Sequence, residues 1–244
     1  MKILAIDTSN QTLTVSLMID GVVASEGLLN VKKNHSLTLM PMVDQVTRAV
    51  GVLPNEIDRI VVAQGPGSYT GLRIGVTTAK TLAYTLNKEL VGISSLATLA
   101  GNAYESEQVI VPLFDARRQN VYAGAYRYQK GKLVLLKADT HIAISDLLNE
   151  MKQYENVLFL GDAKKFEEEI LAEMPQAVVN QNPNWDIPHG GVLAMIGSVA
   201  EPTDNIHGFL PHYLKRVEAE ERWLEKIGHP EGLANEDQNY VEKI

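Results

Sequence analysis

Apolar and polar residues are arranged along this chain in patterns that predict short strands and amphipathic helices. Residues 2–6, in which Lys2 precedes a continuous apolar run, read as a buried strand. Residues 12–19 alternate, with an apolar face opposite a face rich in threonine and serine, and a hairpin signal, Asp20-Gly21, follows them. Since residues 22–29 read as a third strand, the pattern predicts that the chain opens with an antiparallel meander.

Two amphipathic segments follow the meander. Apolar residues recur at helical spacing up to residue 50, with Ser36 as the predicted N-cap and Gly51 as the predicted stop. A strand is predicted for residues 57–64, and a second helix for residues 70–87. This second helix carries a small residue at every fourth position: Gly71, Gly75, Ala79, Ala83. Such a row predicts that another backbone packs closely against the helix.

The second half of the chain repeats the element order of the first. Three pairs of residues share a spacing of 108 positions: Asp7 and Asp115, Gln11 and Gln119, Leu13 and Val121. Strands, a helix and a further strand are predicted after residue 108 in the same sequence as before it. We interpret this order as an internal duplication, with two unrelated α+β halves as the alternative. The predicted lobes are residues 1–108 and 109–215, followed by an acidic helix or tail, residues 216–244.

Composition and charge narrow the class of protein. The 244 residues include no cysteine, which excludes disulfides, thiolate zinc sites and a thiol nucleophile. No apolar stretch approaches the ~20 residues of a membrane span, so the sequence predicts a cytoplasmic protein without a membrane partner. The net charge of −8 argues against independent tight binding of nucleic acid. Half of that charge lies in residues 216–244.

The run Gly65-Pro-Gly-Ser-Tyr-Thr-Gly71 between a strand and a helix has three interpretations. A P-loop is excluded because no Gly-Lys-Ser/Thr follows. A dinucleotide fingerprint fits poorly, since the glycine spacing is irregular and a meander precedes the strand. A structural turn that seats a closely packed helix is consistent with the run. No two of the six histidines are four residues apart, so the sequence predicts no helical pair of metal ligands.

Several of these stretches together resemble the bacterial TsaB family, also called YeaZ. They are Ile3-Leu-Ala-Ile-Asp7-Thr-Ser9-Asn, His35-Ser, Gly65-Pro-Gly-Ser-Tyr-Thr-Gly-Leu-Arg-Ile-Gly75, Asp115-Ala-Arg117 and Tyr213-Leu-Lys-Arg. The resemblance covers nearly the whole chain, and the glycine-rich run is its most specific part. It implies a duplicated α/β fold of the actin/Hsp70/sugar-kinase type (ASKHA, RNase H-like) with two lobes, which agrees with the repeat.

The resemblance also implies a role in making N6-threonylcarbamoyladenosine at position 37 of tRNA. The implied partners are a TsaD-like transferase and a TsaE-like ATPase, with tRNA reached through the complex and a homodimer when the protein is alone. TsaD-like proteins carry a His-x-x-x-His metal pair that would fall at Ser95 and Leu99 here. The resemblance is therefore to a catalytically inactive scaffold that needs no cofactor. The alternative is an autonomous ATP- or NAD-dependent enzyme of the same superfamily.

Two sets of residues follow as candidates. A vestigial nucleotide cleft, with weak nucleotide binding left open, would comprise Asp7, Thr8, Ser9, Gly65, Gly67 and Asp115. The family's dimer interface, carried over from the first two helices of the N-terminal lobe, would comprise Leu39, Met40, Val43, Gly71, Leu72, Gly75, Val76 and Ala79. No catalytic residue and no metal ligand is predicted.

Overall fold

Two five-stranded sheets form the framework of the protein, whose computed structural model describes residues 1–32 and 34–215. The strands of the first sheet are β1 (Lys2–Asp7), β2 (Leu13–Ile19), β3 (Val22–Leu29), β4 (Arg59–Gly65) and β5 (Glu89–Ser94). They lie in the order β3-β2-β1-β4-β5. Strand β1 is antiparallel to β2 and parallel to β4, so the meander predicted at the start of the chain is confirmed.

The second sheet has the same topology as the first. Its strands are β6 (Val109–Asp115), β7 (Asn120–Gln129), β8 (Lys132–Ala143), β9 (Val157–Gly161) and β10 (Val178–Val179). The order is β10-β9-β6-β7-β8, with the first strand of the repeat again central, antiparallel to the second and parallel to the fourth. This repetition confirms the internal duplication and the duplicated two-lobed α/β fold; the alternative of two unrelated halves is wrong.

Six helices connect and cover these strands. They are α1 (His35–Arg48), α2 (Tyr69–Leu86), α3 (Ser95–Ala100), α4 (Ile144–Met151), α5 (Glu167–Glu173) and α6 (Gly190–Ser198). Helix α1 begins two residues earlier than predicted, because the Asn34 side chain, not Ser36, caps it by accepting a hydrogen bond of 3.0 Å from the Ser36 backbone N–H. The acidic helix or tail predicted for residues 216–244 lies outside the described residues.

The two repeats are offset by 107 residues in their first strands and by 108 in their second. Leu4 and Ile6 face the helices α1 and α2, whereas Val111 and Leu113 occupy the corresponding layer under α4 and α5. Successive side chains of a strand point to opposite faces, so a shift of one residue exchanges the faces. The structural counterpart of Asp7 is therefore Phe114, and the 108-residue spacing of the two aspartates does not mark equivalent positions.

Both faces of the first sheet are covered. Helices α1 and α2 cover one face, and α6 returns from the second half of the chain to cover the other. The polar face of β2 is consequently buried: the Gly190 N–H donates to Thr14 Oγ1 at 3.1 Å, and a Cβ on Gly190 would lie 2.8 Å from Ser16 Cβ. Residues 1–214 form one compact unit, and the predicted boundary after residue 108 stays a prediction.

Candidate functional site

The turn after β1 and the glycine-rich turn after β4 lie in direct contact. Both follow neighbouring parallel strands, so their carboxyl ends meet at one edge of the sheet. The Ser68 N–H donates to the Ser9 carbonyl at 2.6 Å, and the Thr8 hydroxyl donates to the Gly71 carbonyl at 2.7 Å. These two bonds hold the start of α2 against residues 8–9, in the position where the sequence predicted a nucleotide cleft.

The glycines make this close approach sterically feasible. A Cβ on Gly67 would lie 2.2 Å from the Ser9 carbonyl oxygen, and one on Gly71 would lie 2.1 Å from the Thr8 carbonyl oxygen. Gly65 has a φ of +124°, a backbone conformation that favours glycine, and its Cβ would meet the His212 carbonyl oxygen at 2.4 Å. Each glycine thus accommodates the protein's own backbone, which favours the interpretation of the run as a structural turn.

Asp7 is a fully buried carboxyl group at the end of β1. Its Oδ1 accepts a hydrogen bond of 2.8 Å from the Ser9 N–H, whereas its Oδ2 has no donor among the residues that the structure describes. Burial raises the pKa of Asp7 to about 6, while the Ser9 N–H and the nearby His35 oppose the shift. The side chain therefore changes charge close to neutral pH in a site closed to solvent.

Asp115, the other carboxyl group of the predicted cleft, lies on an exposed surface of the second sheet. Its backbone N–H donates to Asp162 Oδ2 at 2.9 Å, and Lys165 forms ion pairs with both carboxylates. In the position equivalent to Asp7 stands Phe114, which is buried in an apolar cluster. The prediction that Asp115 mirrors Asp7 is wrong, because the repeats are out of step by one residue in this strand. Asp7, Thr8, Ser9, Gly65 and Gly67 are brought together as predicted.

A polar cluster that the sequence analysis missed joins the two sheets. Ser94, the last residue of β5, donates to Asp139 Oδ2, and the Tyr126 hydroxyl donates to Asp139 Oδ1 at 2.5 Å. Burial raises the pKa of Asp139, and the two hydroxyls together with His212 oppose that shift. No local motif could have revealed the cluster, since its three residues come from three strands.

The exposed surface of α1 and α2 contains a groove of about 500 Å³. It is lined by Ser36, Leu39, Met40, Tyr69, Thr70, Arg73, Ile74, Thr77 and Thr78. Met40 is 47% exposed and Tyr69 is 41% exposed, so the groove presents two large side chains to solvent. Tyr69 also stacks on Tyr213 with 4.8 Å between ring centroids, so a segment close to the end of the described chain borders the groove.

The small-residue face of α2 is not part of this groove. Gly71, Leu72, Gly75, Val76 and Ala79 are buried against the protein's own sheet and the turn at Thr8. Leu39 and Val43 of α1 are buried as well, although Leu39 forms part of the groove floor. The prediction that the small-residue row contacts a partner is corrected: its close neighbour is the turn of residues 8–9. Of the eight predicted interface residues, Met40 is exposed.

Neither a metal centre nor a membrane span is found among the described residues. In residues 1–32 and 34–215, no group of three or more histidine, aspartate or glutamate side chains could hold a metal ion. Within the same residues, no helix combines the length and the apolar composition of a membrane-crossing segment. Ser95 and Leu99 lie one turn apart on α3 and are fully buried.

Comparison with known proteins gives a consistent set of relatives. Residues 8–223 match the family described as "TsaD: tRNA N6-adenosine threonylcarbamoyltransferase". A Bacillus subtilis (strain 168) protein named tRNA threonylcarbamoyladenosine biosynthesis protein TsaB is 40% identical over 92% of this chain and 99% of its own length. The Escherichia coli (strain K12) protein of the same name is 33% identical over 52% of this chain and 55% of its length.

A solved structure agrees with these sequence relatives. The structure of YeaZ from Pseudomonas aeruginosa superposes with a TM-score of 0.73 and 26% identity. The superposition covers 87% of this chain and 99% of that one. The likeness therefore extends over both sheets and is not limited to the glycine-rich turn.

Proposed function

Because the chain belongs to the TsaB (YeaZ) family of tRNA threonylcarbamoyladenosine biosynthesis proteins, we propose that it is the non-catalytic scaffold subunit of the complex that makes this modification at position 37 of tRNA. It binds a TsaD-type transferase through the groove between α1 and α2. A TsaE-type ATPase joins the pair, and tRNA is bound by the assembly in the cytoplasm. In the absence of the transferase the same face supports a homodimer.

The groove is the observation that carries this proposal. Exposed Met40 and Tyr69 lie beside Arg73 and several serine and threonine side chains, and methionine, aromatic residues and arginine are enriched at protein interfaces. Helices α1 and α2 are rigid elements packed on the first sheet, so the groove is formed before a partner arrives. A preformed surface loses less conformational entropy on binding than a mobile one.

Two further observations support a scaffold that lacks catalysis. The positions at which TsaD-like proteins would carry a metal-binding histidine pair hold Ser95 and Leu99, and neither side chain supplies an imidazole. The position equivalent to Asp7 in the second lobe holds Phe114, so one side of the predicted cleft lacks a carboxylate.

The proposal is tested by placing a carboxylate in the groove of the full chain. The Met40→Asp variant should weaken capture of the TsaD homologue from the same organism by about tenfold or more, because a carboxylate that must be desolvated replaces an apolar contact. Leu135→Asp is the matched control, since Leu135 is 54% exposed on β8 of the other sheet. Affinity is measured by biolayer interferometry, and threonylcarbamoyladenosine formation by mass spectrometry of tRNA in the reconstituted system.

Equal binding of both variants would contradict the assignment of the groove. Metal-dependent threonylcarbamoyl transfer by the isolated chain would contradict the non-catalytic role.

Asp7 is the observation that supports the alternative of an autonomous ATP- or NAD-dependent enzyme. Its buried carboxyl group has a pKa of about 6 and a free Oδ2, features that also occur at catalytic sites. An enzyme of this kind should turn over nucleotide without partners, and Asp7→Asn should abolish that turnover while the protein stays folded. We expect the isolated chain to show no such turnover.

A further inference from the structure

Helices α1 and α2 together carry a net positive charge, opposite in sign to that of the whole protein, although Lys80 donates to the His207 carbonyl and is not among the residues that line the groove. The two helices carry three cationic side chains, Arg48, Arg73 and Lys80, and one carboxylate, Asp44. Asp44 is already engaged, because Arg48 Nε contacts its Oδ1 at 2.7 Å. The chain as a whole has a net charge of −8. A locally positive face on an acidic protein is a feature that electrostatic complementarity uses to select a partner.

Arg73 is the charge that lies in the groove itself. Its guanidinium donates one hydrogen bond of 3.0 Å to the Tyr69 hydroxyl and lies 5.4 Å from the centre of that ring. Tyr69 in turn stacks on Tyr213, so the Arg73 guanidinium lies beside a stacked pair of aromatic rings. Within residues 1–32 and 34–215, no carboxylate pairs with Arg73, and its remaining N–H donors are available to a ligand.

Within the described residues, helices α1 and α2 of a second copy could not supply the missing carboxylate by symmetric docking. In an isologous dimer the same patch lies on both subunits, so the groove of one copy faces α1 and α2 of the other. None of the nine residues lining the groove is acidic, and Asp44 is the one carboxylate of the two helices. Self-docking would therefore bring two Arg73 guanidiniums into one interface without a free counter-charge, which disfavours association.

We propose that the α1–α2 groove selects a partner helix that presents a carboxylate to Arg73, and that this ion pair favours the heterologous complex over the homodimer. The inference rests on the proposed function, because it assigns the partner chemistry of the same groove. Arg73 supplies a planar fork that binds a carboxylate through two parallel hydrogen bonds. Met40 and Ile74 beside it supply the apolar contact that either partner would use.

The test compares Arg73→Gln with the unmodified full chain in two assays. Affinity for the TsaD homologue is measured by isothermal titration calorimetry, and self-association by sedimentation velocity. We expect Arg73→Gln to raise the dissociation constant of the heterologous complex by about tenfold and Arg73→Glu to raise it further. Self-association should be unchanged or tighter in Arg73→Gln, because a like-charge contact is removed.

Salt dependence provides an independent measure of the same pair. Raising NaCl from about 0.05 M to about 0.5 M should weaken the unmodified complex more than the Arg73→Gln complex, since screening acts on the charge that the variant lacks. Lys164→Gln is the charge-matched control, because Lys164 is exposed in the second lobe. Circular dichroism melting curves establish that each variant is folded.

The inference is overturned if Arg73→Gln binds the TsaD homologue within about twofold of the unmodified chain. It is also overturned if the variant loses self-association to the same extent as heterologous binding. Met40→Asp separates these results from a failure of the proposed function. If Met40→Asp abolishes heterologous binding and Arg73→Gln does not weaken that binding, the groove is the interface and the ion pair is absent. If neither variant weakens heterologous binding, the groove is not the interface.

Discussion

Adding one methyl group at Gly75 should destabilise the fold before it affects any partner. A Cβ at this position would lie 2.3 Å from Thr8 Oγ1, whereas ordinary contact begins at 3.4 Å, so the atoms must separate by roughly an ångström. Thr8 is buried, and its hydroxyl donates to the Gly71 carbonyl, so moving it weakens a buried hydrogen bond. Overpacking costs about 1–3 kcal/mol, and the hydrogen bond contributes about 1 kcal/mol.

Helix propensity acts in the opposite direction, because alanine is favoured over glycine inside a helix by about 1 kcal/mol. We therefore expect Gly75→Ala to lower the free energy of unfolding by about 1–3 kcal/mol. For a compact unit of this size the melting temperature should fall by about 3–10 °C. Urea titration and differential scanning calorimetry of the full chain measure both quantities.

A double-mutant cycle with Thr8→Ala tests the assigned cause. Removing the Thr8 hydroxyl removes the atom that the new methyl group would strike, so the double variant should be more stable than the sum of the single effects by about 1 kcal/mol or more. An increase in melting temperature for Gly75→Ala would refute the reasoning, because it would mean that helix propensity exceeds the cost of the contact. Strict additivity would show that Thr8 is not the obstacle.

Three other predictions concern individual side chains. Burial raises the pKa of Asp7 from 3.8 to about 6 in the folded state, so the folded state binds the proton more tightly and the free energy of unfolding falls as pH rises from about 4 to about 6. Asp7→Asn should remove up to about 3 kcal/mol of that fall. Urea titrations across this pH range that superpose for the two proteins would contradict this prediction. Asn34→Ala should lower the free energy of unfolding by about 1 kcal/mol, because the N-cap of α1 is lost, and Ser36→Ala should lower it clearly less. The reverse ranking in thermal melts would mean that Ser36 is the cap. Tyr126→Phe should cost about 1–2 kcal/mol, because Asp139 loses one of its two hydroxyl donors in a partly buried site. Hydrogen exchange at the end of β5 and around Asp139 in β8 should rise with it, and unchanged exchange would mean that the cluster does not join the sheets.

The sequence was informative about elements because local patterns determine them. Alternation and apolar runs identified the strands of both lobes, and their order revealed the duplication. Strand β8, Lys132–Ala143, is longer than its continuous apolar run, which covers residues 133–136. The further residues, 137–143, include the polar side chains Lys137, Asp139 and His141 and do not extend that run. Their strand conformation comes from pairing with β7, which is a long-range contact.

The site was predicted less well, because spacing does not determine direction. The small-residue row on α2 correctly indicated that a backbone packs closely there, yet a partner helix and the protein's own turn satisfy the same steric pattern. Counting 108 residues aligned Asp7 with Asp115, although the two point to opposite faces of equivalent sheets. The exposed residues of the groove, such as Arg73 and Tyr69, follow from which face of α2 is buried, and the sequence alone did not determine that face.

The return of α6 to the first sheet determines when that sheet can be completed during synthesis. Until Gly190–Ser198 has left the ribosome, the apolar face of β1 and β4, with Ile3, Ala5 and Val61, lacks the cover that α6 provides. Arg59 fastens the end of this helix by donating to the carbonyl groups of Gly197, Ser198 and Ala200. The first sheet therefore matures after the second has been translated. A chain ended at residue 108 should expose this face and aggregate, so genetic dissection of the lobes requires circular permutation and not simple truncation.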